Sequence, residues 1–119
     1  MPTLLSQSDI VSIHVPLTDV TNGLISEIEL QSMKKNAILV NAARGGIVNE
    51  HALAAALEKG LIKGAVVDVY SQEPALSDNP LLNLSQPAME RVFFSPHIAG
   101  ITKQSLTYLF QKSWLNLAF

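Results

Sequence analysis

Four side chains have the types and placement to do chemistry: Arg44, Asp68, Glu73 and His97. Arg44 lies between Asn41-Ala42-Ala43 and Gly45-Gly46, directly after an apolar run. Small neighbours let a ligand come close to the backbone, and a guanidinium there can hold a carboxylate through two parallel hydrogen bonds. The same residues also suit a helix-entry loop whose surface Arg pairs with a nearby acid. Asp68 interrupts Val66-Val67-Asp68-Val69, where an unpaired carboxylate carries a large desolvation cost. It reads either as a cap on a neighbouring backbone amide or as an acceptor for an amide-bearing ligand. Glu73 and His97 each follow an apolar run, so they could meet. A carboxylate beside an imidazole favours the imidazolium, which suits a general acid–base near neutral pH. A single His is also common as a structural residue, and His14 and His51 are read that way.

These four residues need a scaffold, and the chain supplies alternating strand and helix patterns. Asp9 to Val15 is rich in β-branched residues and stops at Pro16, which predicts a strand. Ser26-Glu27-Ile28-Glu29 carries a capping box that predicts a helix ending near Met33 to Asn36. Ala37 to Asn41 is a second strand pattern. Asn49, then Glu50 to Lys59, then Gly60 form a complete helix signature of cap, acidic first turn, Ala/Leu body and glycine stop. Gly64 to Tyr70 and Val92 to Ser95 predict two more strands. Ser71 to Glu90 reads as a long loop with three prolines. From Thr102 onward, Leu106, Leu109, Phe110, Trp114 and Leu117 recur at helical spacing.

Apolar strands alternating with helices predict an α/β fold, a parallel sheet with helices on both faces. Ligands of such sheets sit beyond the carboxyl ends of the strands. Arg44, Glu73 and His97 fall just past predicted strands, and Asp68 stands near the end of one.

The remaining composition narrows the classes. With 119 residues, 48% of them apolar, the chain can bury one core. A formal charge of −2 argues against nucleic acid. No apolar run approaches the roughly 20 residues of a membrane span, and Met1-Pro2-Thr3 lacks the basic start of a signal peptide. A soluble, cytoplasmic domain or part of one is expected. The absence of Cys removes thiolate chemistry, no two His stand at metal-ligand spacing, and no Gly-x-Ser-x-Gly elbow is present.

Four segments together carry a family resemblance. Asn41-Ala42-Ala43-Arg44-Gly45-Gly46-Ile47-Val48-Asn49-Glu50 resembles the N-x-A-R-G-x-x-V-[DN]-E segment of the D-isomer-specific 2-hydroxyacid dehydrogenases. Val67-Asp68-Val69-Tyr70-Ser71-Gln72-Glu73-Pro74 is similar to that family's D-V-[FY]-x-x-E-P. Ser95-Pro96-His97-Ile98-Ala99-Gly100-Ile101-Thr102 resembles its P-H-x-[AG]-[GS]-x-T, and His14-Val15-Pro16-Leu17-Thr18 its H-x-P-L-T. The order and intervals match over nearly the whole chain.

The resemblance implies roles. Arg44 would hold the substrate carboxylate and polarise the C2 oxygen. His97 would give or take the hydroxyl proton, and Glu73 would orient His97. Asp68 would bind the nicotinamide carboxamide of NAD. Val15, Pro16, Ala42, Ala43 and the loop from His97 to Gly100 would line the dinucleotide. The implied activity is hydride transfer between a nicotinamide cofactor and a D-2-hydroxy or 2-keto acid, by an enzyme that is a homodimer at full length.

One departure is large. The family's Gly-x-Gly-x-x-Gly turn and the ribose-binding acid after it are absent from this sequence. Residues 1–119 are therefore expected to be the second half of a Rossmann-type NAD-binding domain, without the first half or the substrate domain. On that expectation the chain is a fragment and inactive alone. The alternative is a natural half-domain serving assembly or binding, not catalysis.

Overall fold

The β-branched runs form four short parallel strands: β1 (Ile10–Ile13), β2 (Ile38–Asn41), β3 (Gly64–Val67) and β4 (Val92–Phe94). They lie in the sheet in sequence order. The computed structural model describes residues 1–117. Among these described residues five helices accompany the strands: α1 (Pro2–Gln7), α2 (Glu27–Ser32), α3 (Glu50–Glu58), α4 (Gln86–Met89) and α5 (Lys103–Leu117). Two 3-10 turns, Pro80–Asn83 and Ala99–Ile101, complete the set.

Register determines which side chains share a face. Val11, Leu39 and Ala65 stand opposite one another, as do Ile13, Asn41 and Val67, and all six are buried. This face meets Leu30 of α2 and Leu53 and Leu57 of α3 in one core. The other row holds Ile10 and Phe93, which are 64% and 66% exposed. Helices on both faces were expected, yet α1, α2 and α3 pack side by side as one layer. The reason is the strand order. Crossovers of one hand that always step in the same direction deliver their helices to the same side of a sheet.

Local chemistry explains the helix ends. The Ser26 amide donates to Glu29 Oε2 at 3.1 Å, completing the capping box of α2. The Ala52 amide donates to the Asn49 side chain at 3.0 Å, and Gly60 follows α3 at φ +63°. A side chain would resist that left-handed conformation. Helix α1 lies where no helix was predicted. Pro2 at its first turn suits a helix start, and Leu5 alone of its residues is buried, too little to set up a period.

The stretch from Ser71 to Glu90, expected to be all loop, contains the Pro80–Asn83 turn and α4. Two acids of α3 anchor it. Glu50 accepts from the Ser71 amide (2.7 Å), the Ser71 hydroxyl (2.6 Å) and Asn79 Nδ2 (3.0 Å). Glu58 accepts from the Ser85 amide and hydroxyl, both at 2.6 Å, and these bonds hold its carboxyl below the usual range. Leu81 and Ala88 then bury fully.

Helix α5 forms as expected, but its apolar stripe is not packed. Leu106, Leu109, Phe110 and Trp114 are all exposed, and its chief contact is the 3-10 turn before it. Ala118 and Phe119 lie outside the described residues. No helix among the described residues is long and apolar enough to cross a membrane.

Candidate active site

All four strands run in the same direction, so Ile13, Asn41, Val67 and Phe94 end in register along one edge. The next residues, His14, Ala42, Asp68 and Ser95, therefore begin the loops that carry the candidate side chains. Two ladder bonds continue past the strands: the Asp68 amide donates to the Asn41 carbonyl and the Ser95 amide to the Val67 carbonyl, each at 3.0 Å.

The loop after β2 is built by a buried Asn. Asn41 Oδ1 accepts from the Ala43 amide and Nδ2 donates to the Arg44 carbonyl, both at 3.3 Å. Gly45 then runs against the Tyr70–Ser71 backbone so closely that any Cβ would overlap the Tyr70 carbonyl. Gly46 is at φ +82°. Arg44 is exposed, and its Nη1 donates to the Ala43 carbonyl at 2.6 Å instead of pairing with an acid. A cleft of about 510 Å³ opens here, with Val15, Pro16, Ala42, Ala43 and Arg44 in its wall.

His97 and Glu73 do meet. Nδ1 of His97 lies 2.8 Å from Glu73 Oε2 and 3.0 Å from Oε1. An ionised carboxylate only accepts, so the proton sits on Nδ1. Glu73 Oε1 also accepts from the Tyr70 amide at 3.0 Å. The His97 hydrogen bond first, then the Tyr70 amide, hold the Glu73 carboxyl below its usual range. Both side chains are more than a third exposed, so the pair orients the ring more than it stabilises the fold. His97 sits at φ +54°, a left-handed conformation that costs a non-glycine residue about 1 kcal/mol.

Asp68 takes the capping arrangement. Its Oδ1 accepts from the Ser95 hydroxyl and, at 3.1 Å, from the His97 amide. Tyr70 donates its hydroxyl to the Ser95 carbonyl at 3.2 Å. Burial, then the carboxylates of Asp68, Glu50 and Glu73, push its phenol up, so it remains a neutral donor. Asn41, Tyr70 and Ser95 are the site residues that sequence reasoning passed over. Asn41 alone left a trace, as a polar residue ending an apolar run.

The structure thus brings Asp68, Glu73 and His97 together and leaves Arg44 apart. His97 and Glu73 border a separate cavity of about 400 Å³ beside Pro74 and Phe94. Arg44 follows β2 and His97 follows β4, two strand spacings or roughly 10 Å across the edge. Gly100 is exposed in the Ala99–Ile101 turn, with open space where a Cβ would be. His14 is exposed and hydrogen-bonded to Ser12 at 2.8 Å.

The chain matches known proteins. Residues 1–99 match the family model described as D-isomer specific 2-hydroxyacid dehydrogenase, NAD binding domain. The chain belongs to this family. It is 47% identical over 103 residues to the D-3-phosphoglycerate dehydrogenase of Archaeoglobus fulgidus, covering 87% of this chain and 19% of that protein. To the glyoxylate reductase of Thermofilum pendens it is 44% identical over 117 residues, 98% of this chain and 33% of the relative. The chain therefore spans a third or less of these two curated family members. Among solved structures, the NAD-complexed D-isomer specific 2-hydroxyacid dehydrogenase of Lactobacillus delbrueckii ssp. bulgaricus superposes with a TM-score of 0.81 at 33% identity. That match covers 98% of this chain and 38% of the dehydrogenase. Another family structure, from Xanthobacter autotrophicus Py2, is a complex with NADPH and MES, with a TM-score of 0.73 at 40% identity over 82% of this chain and 38% of that chain.

Proposed function

We propose that this chain carries the acid–base and carboxylate-gripping edge of an enzyme that interconverts a D-2-hydroxy acid and its 2-keto acid. The observation that supports this most is the bond between His97 Nδ1 and Glu73. With Nδ1 committed to the carboxylate, Nε2 is the ring atom that exchanges a proton with the substrate oxygen. Glu73 holds the tautomer and compensates the imidazolium formed when the hydroxy acid is oxidised.

Among the described residues Arg44 pairs with no acid, so its guanidinium is available to a substrate carboxylate. Arg44 and protonated His97 stand two strand spacings apart along one edge, and a substrate oxygen held between them would have its negative charge stabilised from both. The nicotinamide supplies or accepts the hydride when bound. The cleft fits such a group: small residues Ala42 and Ala43 allow close approach, and Val15 and Pro16 offer apolar contact. Asp68 stands outside the cleft wall, and in this reading its Oδ2 serves an amide while Oδ1 caps the turn. His97 and Gly100 close this side in the same reading.

Turnover requires more protein than these residues, because no Gly-x-Gly-x-x-Gly turn is present to hold the diphosphate. The 119-residue chain alone is expected to reduce no keto acid. In a full-length dehydrogenase carrying this segment, Arg44→Ala and His97→Ala should each lower kcat/KM roughly a hundredfold or more. Steady-state assay with NADH and a set of 2-keto acids decides it, and unchanged turnover in either variant overturns the assignment.

A further inference from the structure

Ser95, Pro96 and His97 form a turn with few means of holding itself. Pro96 has no N–H, and the Ser95 amide is already committed to the Val67 carbonyl. The Ser95 hydroxyl and the His97 amide remain, and both donate to one oxygen, Oδ1 of Asp68 on the neighbouring strand. The Ser95 carbonyl accepts from Tyr70. His97 follows in the left-handed conformation at φ +54°, which needs surrounding support to persist.

We propose that Ser95 is a positioning residue: its hydroxyl, acting with the His97 amide, makes Asp68 a clamp on the left-handed turn that presents the His97 ring. This rests on the reading of His97 as the acid–base. Two carboxylates then divide the work. Asp68 sets the backbone of His97 and Glu73 sets its ring, and Nε2 is aimed only when both hold. Serine serves here because its short hydroxyl reaches the adjacent strand while its amide stays in the ladder. Threonine keeps that hydroxyl and alanine removes it.

Nuclear magnetic resonance of the isotope-labelled 119-residue chain tests the clamp. In the parent, a scalar coupling across the hydrogen bond should link the His97 amide to the Asp68 carboxyl carbon. In Ser95→Ala the His97 amide should exchange roughly tenfold faster, while Leu39 and Val66 of the sheet keep their protection. The imidazole nitrogen shifts should report the Nδ1–H tautomer in the parent and a tautomer mixture in Ser95→Ala. Ser95→Thr should restore both. Absence of that coupling in the parent, or a Ser95→Ala chain with parental exchange and tautomer, overturns the proposal. If Ser95→Ala also loses protection at Leu39 and Val66, the parent's coupling decides. None of these readouts needs turnover. A full-length enzyme indifferent to His97→Ala would therefore overturn the proposed function and leave the clamp standing.

Discussion

Glu73 links the chemistry of the site to its acid behaviour. Its carboxyl is held low by the His97 hydrogen bond and the Tyr70 amide. A depressed folded-state value means the pair's contribution is fully present above the unfolded value of roughly 4.3 and is lost as pH falls through the folded value. The parent should thus lose stability more steeply than Glu73→Gln as pH drops below roughly 4.3. Thermal unfolding of both chains from neutral to acid pH measures this, and the melting gap should close at the acid end. At this scale the sequence was informative where a residue broke a pattern. Asp68 inside an apolar run and Arg44 among small residues were visible as anomalies. Ser95 was not, because a serine before proline looks like ordinary loop and its partner lies on another strand.

Secondary-structure elements were legible in proportion to how local their causes are. Helix α3 carries its cap, body and stop within a dozen residues, so its sequence announces it. The Pro80–Asn83 turn and α4 exist because Leu81 and Ala88 bury in the core and because Glu50 and Glu58 hold the segment from outside. No window of local sequence contains those causes. The layering of helices on one face was likewise missed, since strand order becomes known only when the sheet is assembled. Glu50 is the critical anchor, with three donors from the excursion. Glu50→Ala should cost about 2 kcal/mol in urea unfolding and should open residues 71–79 to limited proteolysis. Unchanged stability together with a protease-resistant loop would count against the anchor.

The whole molecule is longer than its residue count suggests. Its radius of gyration is 16.4 Å, against about 13.5 Å for a compact chain of this length, and its extents are 54 × 33 × 24 Å. Helix α5 accounts for the excess by extending from the sheet with little to pack on. Trp114, the sole tryptophan, lies on it and is 72% exposed. Its fluorescence should therefore resemble solvated indole in the native chain and shift little on unfolding, while far-ultraviolet circular dichroism reports a full transition. A blue-shifted native emission would mean that α5 is covered in solution.

The strand order has a further consequence, for synthesis. Each strand pairs with the one that precedes it, Ile10 with Ile38, Ile38 with Gly64 and Ala65 with Val92. Every pairing closes a loop of similar length, so the entropic cost is nearly the same at each step. A ribosome delivering this chain from its amino end could add strands one at a time, with no segment waiting for a distant partner. Of these four strands the last to join is β4, directly ahead of Ser95 and His97. The acid–base turn would be the final part of the sheet edge to take shape, and a nascent chain stopped before Val92 would carry Arg44 and Asp68 without it.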